Sequence, residues 1–161
     1  MKKFAIRFVI GLGITVAVFT AILAILARVV KSPANLGVRE GKLAPCPNSP
    51  NCVSTQSDDP RHQIAPLPYT MSADNAKAQL LDIIRSMPRT TIITDAPTYI
   101  HAEFRTTGIG YVDDVEFYLD EASKVIHFRS SARLPYYDWE VNRDRMEEIR
   151  AAFEEMAQSL P

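Results

Sequence analysis

Apolar residues follow three different patterns along this chain, and the first predicts a membrane-spanning helix. From Phe8 to Ala27 the chain has 20 residues without a charged side chain. At a rise of about 1.5 Å per residue, such a helix spans roughly 30 Å, the thickness of the hydrocarbon core of a bilayer. A cleavable signal peptide is the competing interpretation, but its apolar core is usually only about 7–15 residues long. The pattern therefore favours an uncleaved anchor.

The second pattern, apolar residues spaced by three or four, predicts two amphipathic helices. One helix covers residues 73–87, after the potential N-cap Ser72 and before Pro88. The other starts at Asn142, also a favourable cap residue, and runs to about Ser159. The apolar faces consist of Ala76, Leu80, Ile83, Ile84 and Met87 in the first helix and Met146, Ile149, Phe153, Met156 and Leu160 in the second.

The third pattern, alternation of apolar and polar residues, predicts three or four β-strands between these helices. The connections at 107–110 and 120–123 are short enough for antiparallel hairpins. The predicted fold class is α+β, with a single N-terminal transmembrane helix followed by a small domain in which two helices pack on a 3–4-stranded antiparallel sheet. The predicted strands cover residues 90–95, 99–106, 112–119 and 124–130.

Prolines separate the anchor from the domain. Residues 32–70 contain seven prolines, which remove backbone donors and restrict the residues before them, so this segment is expected to be irregular. The predicted organisation is an anchor at 1–31, a proline-rich arm at 32–70 that carries the cysteines, and the α+β domain at 71–161.

Charge is distributed unevenly and predicts a location. Residues 1–31 have five basic and no acidic side chains, whereas the rest of the chain has 13 basic and 19 acidic ones. An acidic domain argues against nucleic acid as a partner. The basic residues before the apolar segment favour a cytoplasmic N-terminus. We therefore expect a single-pass protein of the cytoplasmic (inner) membrane, with the soluble domain on the periplasmic side and with another membrane protein or complex as its partner.

Both cysteines lie in one short stretch, and three kinds of chemistry are compatible with it. Five residues separate Cys46 from Cys52 in a proline-rich loop. Outside the cytoplasm a disulfide is the favoured interpretation. A zinc site with His62 and a redox or nucleophilic thiol are the alternatives.

The polar face of the predicted sheet carries a second candidate group. If Leu119 lay opposite Lys124, Glu116 would face His127 across the hairpin, with His101 on the neighbouring strand. These side chains are suited to general acid–base catalysis or metal binding. The favoured interpretation is a solvated face with complementary cross-strand charges.

The third candidate group is aromatic. Tyr136, Tyr137 and Trp139 precede the last helix and are suited to lining a pocket, to lying at a membrane interface or to closing the edge of the core. The sequence has no Gly-rich phosphate loop, no Gly-x-Ser-x-Gly and no His-Glu-x-x-His. It therefore predicts no cofactor and no catalytic residues.

Two stretches resemble the signature of a known family. The decapeptide Cys46–Thr55 (Cys-Pro-Asn-Ser-Pro-Asn-Cys-Val-Ser-Thr), preceded by Leu36–Val38 and Leu43–Pro45, is similar to the signature of the DUF1499 family. Val141–Arg145 is similar to its C-terminal motif, and the resemblance extends from about Leu36 to Leu160. The resemblance implies no reaction or ligand, because the family has no known function. It does imply a position behind a membrane anchor or export signal.

These observations favour a membrane-anchored binding or accessory module over an enzyme. The enzyme alternative is a hydrolase or redox protein that uses either Cys46, Cys52 and His62 or the face with His101, Glu116 and His127. A lipid-binding or small-ligand-binding domain is the third hypothesis.

Overall fold

The computed structural model describes residues 2–134 and 136–159, which form three helices and six strands. The predicted α+β class is confirmed, and both amphipathic helices are present with bounds within one residue of those expected. Leu160, expected on the last apolar face, lies outside the described residues. The elements are α1 (Lys2–Val29), β1 (Cys52–Ser54), β2 (Leu67–Pro68), α2 (Ala73–Ser86), β3 (Thr90–Ala96), β4 (Tyr99–Arg105), β5 (Val112–Asp120), β6 (Val125–Ala132) and α3 (Val141–Ser159).

Over the described residues the sheet has six strands, so the prediction of three or four was wrong. The order is β1-β6-β5-β4-β3, and β2 also pairs with β6. The two additional strands come from the segment expected to be irregular. Strands of two or three residues are too short to show an alternating pattern, and Pro68 is tolerated because β2 lies at the edge of the sheet.

Helices α2 and α3 cover one face of the sheet and form the core with it. Ser72 is the N-cap of α2, as expected, and its hydroxyl accepts a hydrogen bond from the Asn75 N–H at 3.2 Å. Asn142 was expected to cap α3 but lies inside its first turn, where its N–H donates to the Asp138 carboxylate. The largest fully buried side chains include Leu80, Ile84, Ile100, Phe117, Phe128, Met146, Ile149 and Phe153.

The hairpin between β5 and β6 differs from the expected register by two residues. Asp120 pairs with Val125, so that Glu116 faces Arg129 instead of His127. The Asp120 carboxylate accepts hydrogen bonds from the N–H groups of Ala122 and Ser123, which stabilises a four-residue turn. The turn covers residues 121–124 instead of the expected 120–123, which shifts every cross-strand pair, so the expected pairing of Glu116 with His127 was wrong.

The second face of the sheet is covered by the chain that follows α1. The Ser32 hydroxyl donates to Asp114 at 3.2 Å, and the Gly37 N–H donates to Glu116 at 2.6 Å. Gly37 has φ 107°, a conformation that favours glycine. Asp114 and Glu116 are 1% and 0% exposed, so the expectation of a solvated face was wrong.

Helix α1 is long and apolar enough to span a bilayer, a property that it shares with N-terminal signal sequences. Its most apolar 18-residue window is not buried against the rest of the protein. Ala27, in the last turn, is buried. The last turn of this helix is therefore covered by other parts of the protein.

Candidate functional site

Cys46 and Cys52 form a disulfide, with their sulfur atoms 2.03 Å and their Cα atoms 5.7 Å apart. The favoured interpretation of this pair is confirmed. In this state neither sulfur is available as a thiolate ligand, so the alternative of a zinc site with His62 does not apply. Within residues 2–134 and 136–159, no cluster of three or more His, Cys, Asp or Glu residues is arranged to hold a metal ion.

The cysteine loop is attached to the sheet by its second half. The Ala132 N–H donates to the Asn51 carbonyl at 3.0 Å, and the Asn51 side-chain amide donates to the Ala132 carbonyl at 3.3 Å. Cys52 is buried and pairs with Ser131 in the sheet. The disulfide therefore ties the arm at Cys46 to the edge of the sheet.

The start of α3 contacts the same loop. The buried Asn142 donates from its side-chain amide to the Asn51 carbonyl at 3.3 Å, and its side-chain oxygen accepts from the Ser130 hydroxyl. Arg143 donates to the carbonyl oxygens of Arg61 and Gln63 at 3.0 and 3.1 Å. The two stretches that carried the family resemblance therefore meet in space. This contact could not be predicted from local patterns, since Asn51 and Asn142 are 91 positions apart in the chain.

His62 lies under the loop and is only 4% exposed. Its Nδ1 is 2.8 Å from the Cys52 carbonyl oxygen. A carbonyl oxygen only accepts hydrogen bonds, so Nδ1 carries the proton and Nε2 of the neutral ring is an acceptor. Asp59 Oδ2 is 4.0 Å from Nε2. Hydrogen bonds from the Arg61 side chain and backbone lower the pKa of Asp59 to about 2.

A cleft of about 400 Å³ opens beside His62 and the disulfide. One wall is residues 42–48, and the other includes Ser54, Asp59 and His62. The structure thus brings the predicted residues Cys46 and His62 to one cleft. What this arrangement offers chemically is a hydrogen-bond acceptor at His62 Nε2 for a ligand N–H or O–H group.

His101, Glu116 and His127, by contrast, do not form one site. His101 Nε2 is 2.8 Å from the Asp114 carboxylate. Glu116 accepts hydrogen bonds from Arg129 at 3.1 Å, from the Tyr99 hydroxyl at 2.8 Å and from the arm. The carboxylate of Glu116 therefore has structural partners and no exposure to solvent.

His127 lies apart from this buried group, on the side of the sheet next to β1. Its Nδ1 is 3.1 Å from the Thr55 hydroxyl, and its ring stacks on Tyr118 with 6.2 Å between the centroids. Partial burial lowers the pKa of His127, which favours the neutral imidazole. His127 and Glu116 are consequently not an acid–base pair.

Arg133, which no sequence pattern singled out, organises the buried polar face. Its guanidinium donates to both oxygens of Asp114 at 2.6 and 2.7 Å, to Glu103 at 2.5 Å and to the Val30 carbonyl at 3.2 Å. Burial opposes ionisation of Asp114, but hydrogen bonds from Arg133 and His101 outweigh it and lower the pKa to about 2. The adjacent acidic residues 113–114 inside a strand were the available sequence signal.

The aromatic residues before α3 lie outside the core. Tyr136, Tyr137 and Trp139 are all exposed, and the rings of Tyr137 and Trp139 meet edge to face with 6.0 Å between their centroids. Tyr137 and Trp139 line an apolar cleft of about 200 Å³, together with Leu134 and Val141. Pro135, part of the same predicted group, is outside the described residues.

The fold and the site define the class of this protein: a small α+β domain behind an apolar helix, with a disulfide loop held by the first turn of its last helix. The chain belongs to a family described as a protein of unknown function (DUF1499), whose model matches residues 42–153. That match includes both motifs and confirms the resemblance over this range. A search of curated proteins found no match.

Proposed function

We propose that this protein is a membrane-anchored binding or accessory module that docks on another protein or complex of the cytoplasmic membrane. In this proposal α1 spans the membrane once and the domain lies on the periplasmic side. The observation that carries the proposal is the position of Val30. It directly follows α1, and its carbonyl accepts a hydrogen bond from Arg133 of the domain.

The arm between α1 and the sheet supports this placement, because it is not a free spacer. Ser32 and Gly37 hydrogen-bond to the sheet, and the Leu43 N–H donates to the Gln56 side chain at 2.9 Å. A domain fixed in this way stays at the membrane surface, where a membrane protein is within reach. The disulfide agrees with an oxidising compartment.

Two measurements on the full chain in cells test the anchor and its orientation. The intact N-terminus should be found by mass spectrometry in carbonate-washed membranes, and protease added to spheroplasts should cleave the domain. A shorter, soluble protein that lacks residues 2–27 would show that α1 is a signal sequence and would overturn the anchor.

A third measurement tests the partner. After cross-linking and mild detergent extraction, the full chain should capture the same membrane protein in independent preparations. Detergent-solubilised chain that migrates as a monomer, with no cross-linked protein, would contradict the accessory role.

A second candidate function, binding or conversion of a small ligand beside the disulfide, is favoured by one observation. The buried His62 lines the cleft, and its Nδ1 is held by the Cys52 carbonyl, which leaves Nε2 as the acceptor of the neutral ring. In a hydrolytic reaction His62 would act as general base.

His62→Asn retains a donor near the position of Nδ1 and removes Nε2, whereas His62→Gln retains a polar group near Nε2. Native mass spectrometry of the protein purified from cells should show a small molecule that His62→Asn loses and His62→Gln retains; equal spectra would contradict this site.

A further inference from the structure

Exposed apolar side chains of the domain are concentrated in one loop. Among the described residues after α1, seven large apolar side chains are more than a third exposed, and five of them lie within residues 134–141. We call this segment the aromatic loop. Surface apolar residues normally occur singly, and a cluster marks a contact with something outside the domain. The five are Leu134, Tyr136, Tyr137, Trp139 and Val141.

The aromatic loop begins where α1 meets the domain. Arg133, whose guanidinium binds the carbonyl of Val30, directly precedes the loop in the chain. The hairpin between β4 and β5 lies at the same end of the sheet, and its Tyr111 lines the apolar cleft with Trp139. The exposed side chains are thus next to the point at which a membrane-spanning α1 would leave the bilayer.

Two residues of the loop have an unusual backbone conformation. Trp139 and Glu140 both have positive φ, 52° and 63°, a conformation that is uncommon for residues other than glycine and exceptional for a bulky one. Asp138 holds this turn, because its carboxylate accepts from the backbone and side-chain amides of Asn142 at 3.1 and 2.8 Å. The result is an indole that is 75% exposed, so the strain is not compensated by burial in the core.

We propose that the aromatic loop, with Tyr111, is a membrane-interface contact that seats the domain on the phospholipid headgroups of the leaflet from which α1 emerges. Trp and Tyr are the side chains that favour this layer, because their rings are apolar and their N–H or O–H groups bind polar headgroup atoms. Lys31, exposed just after α1, adds attraction to anionic lipids. The proposal rests on the proposed function in one respect, namely that α1 spans the bilayer.

Trp139 makes the proposal directly testable, since it is the single tryptophan of the chain. The full protein is reconstituted into phosphatidylcholine vesicles that contain phosphatidylglycerol, and flotation establishes that it is inserted. Nitroxide-labelled lipid with the label at the headgroup should quench the fluorescence of Trp139, and acrylamide in the water should quench it weakly. Strong quenching by acrylamide and none by the lipid label, in protein that floats with the vesicles, would overturn the proposal.

Two variants distinguish a specific contact from general proximity to the bilayer. Tyr136→Asp places a charge in the aromatic loop at an exposed side chain and should abolish most of the lipid quenching. Ile93→Asp places the same charge at an exposed apolar residue of β3, at the far edge of the sheet, and should leave the quenching unchanged. Equal quenching in both variants would contradict the assignment to this loop.

Two further outcomes separate this proposal from the proposed function. If the protein does not float with vesicles, the anchor itself fails and the interface contact fails with it. A photo-cross-linker at position 136 that reacts with a protein in cell membranes, combined with no lipid quenching in vesicles, would identify a protein partner and would overturn the lipid contact alone.

Discussion

Arg133→Met is the substitution that should destabilise the domain most selectively. Methionine keeps an apolar stem of similar length, while the guanidinium and its charge are removed. The carboxylates of Asp114 and Glu103 then lose their shared cation, and the Val30 carbonyl loses its donor. Asp114 is 1% exposed, so water does not replace the hydrogen bonds that the guanidinium donated.

The size of the effect follows from the pKa of Asp114 and from its burial. A pKa lowered from 3.8 to about 2 corresponds to about 2 kcal/mol in favour of the ionised, hydrogen-bonded carboxylate. Removal of one partner from a buried ion pair destabilises by about 3–5 kcal/mol in total, because an uncompensated charge remains. We expect a decrease of this size in the free energy of unfolding.

The matched control is Arg105→Met, because Arg105 also binds Glu103, at 3.1 Å. The Arg105 side chain is 42% exposed, and solvent-exposed pairs of this kind contribute about 0–1 kcal/mol. Pulse proteolysis in urea, performed on the full chain in detergent micelles, reports the unfolding of the domain for both variants. If Arg133→Met lowers the free energy of unfolding no more than Arg105→Met does, the argument is refuted.

The pH dependence adds an independent test of the same reasoning. Without Arg133, burial raises the pKa of Asp114 instead of leaving it depressed. A group whose pKa is raised in the folded state contributes stability at low pH and loses it as the pH rises. The difference in unfolding free energy between the wild type and Arg133→Met should therefore become smaller as the pH falls from 7 to 4. A difference that grows over this range would contradict the assignment.

Three other predictions concern the disulfide, α3 and acid. Replacing Cys46 and Cys52 together by Ser should lower the unfolding free energy by roughly 2 kcal/mol, as expected for a short closed loop; a thermal melt checks this, and an unchanged midpoint would contradict it. Asn142→Ala should lower the unfolding free energy by about 2–3 kcal/mol, because the buried Ser130 hydroxyl loses its acceptor and the Asp138 carboxylate loses a donor, whereas the exposed control Asn48→Ala should lower it by less than about 0.5 kcal/mol in the same urea assay. The depressed pKa of Asp114 stabilises the fold above pH 3.8, and this stability should disappear as the pH falls from 3.8 through about 2; an acid titration of Asp114→Asn should lack that component.

The regular elements could be predicted because their patterns are local. Residues that face the core repeat along α2 and α3 every three or four positions, and Ser72 and Pro88 mark the ends of α2 by their own chemistry. The strands β1 and β2 could not be predicted in this way, since Cys52–Ser54 and Leu67–Pro68 are too short for any period. Both strands form because they pair with β6, which is a tertiary contact.

The candidate site was predicted in its composition but not in its geometry. The disulfide between Cys46 and Cys52 was the favoured of three interpretations because the domain was expected outside the cytoplasm. The role of Glu116 was not accessible, because an alternating strand has the same pattern whether its polar face contacts water or a covering segment. The covering contact comes from Gly37, 79 residues away, and no local signal indicates it.

The residues that cover the polar face lie before the range that the family model matches. The family match begins at residue 42, after Val30, Ser32 and Gly37. Yet these three residues bind Arg133, Asp114 and Glu116, which lie inside the match. In this chain the segment that follows α1 thus completes the buried polar face of the domain. A chain shortened to residues 42–161 would leave Asp114 and Glu116 without these contacts. The end of α1 and the buried polar face are consequently joined through Arg133, the residue that directly precedes the aromatic loop.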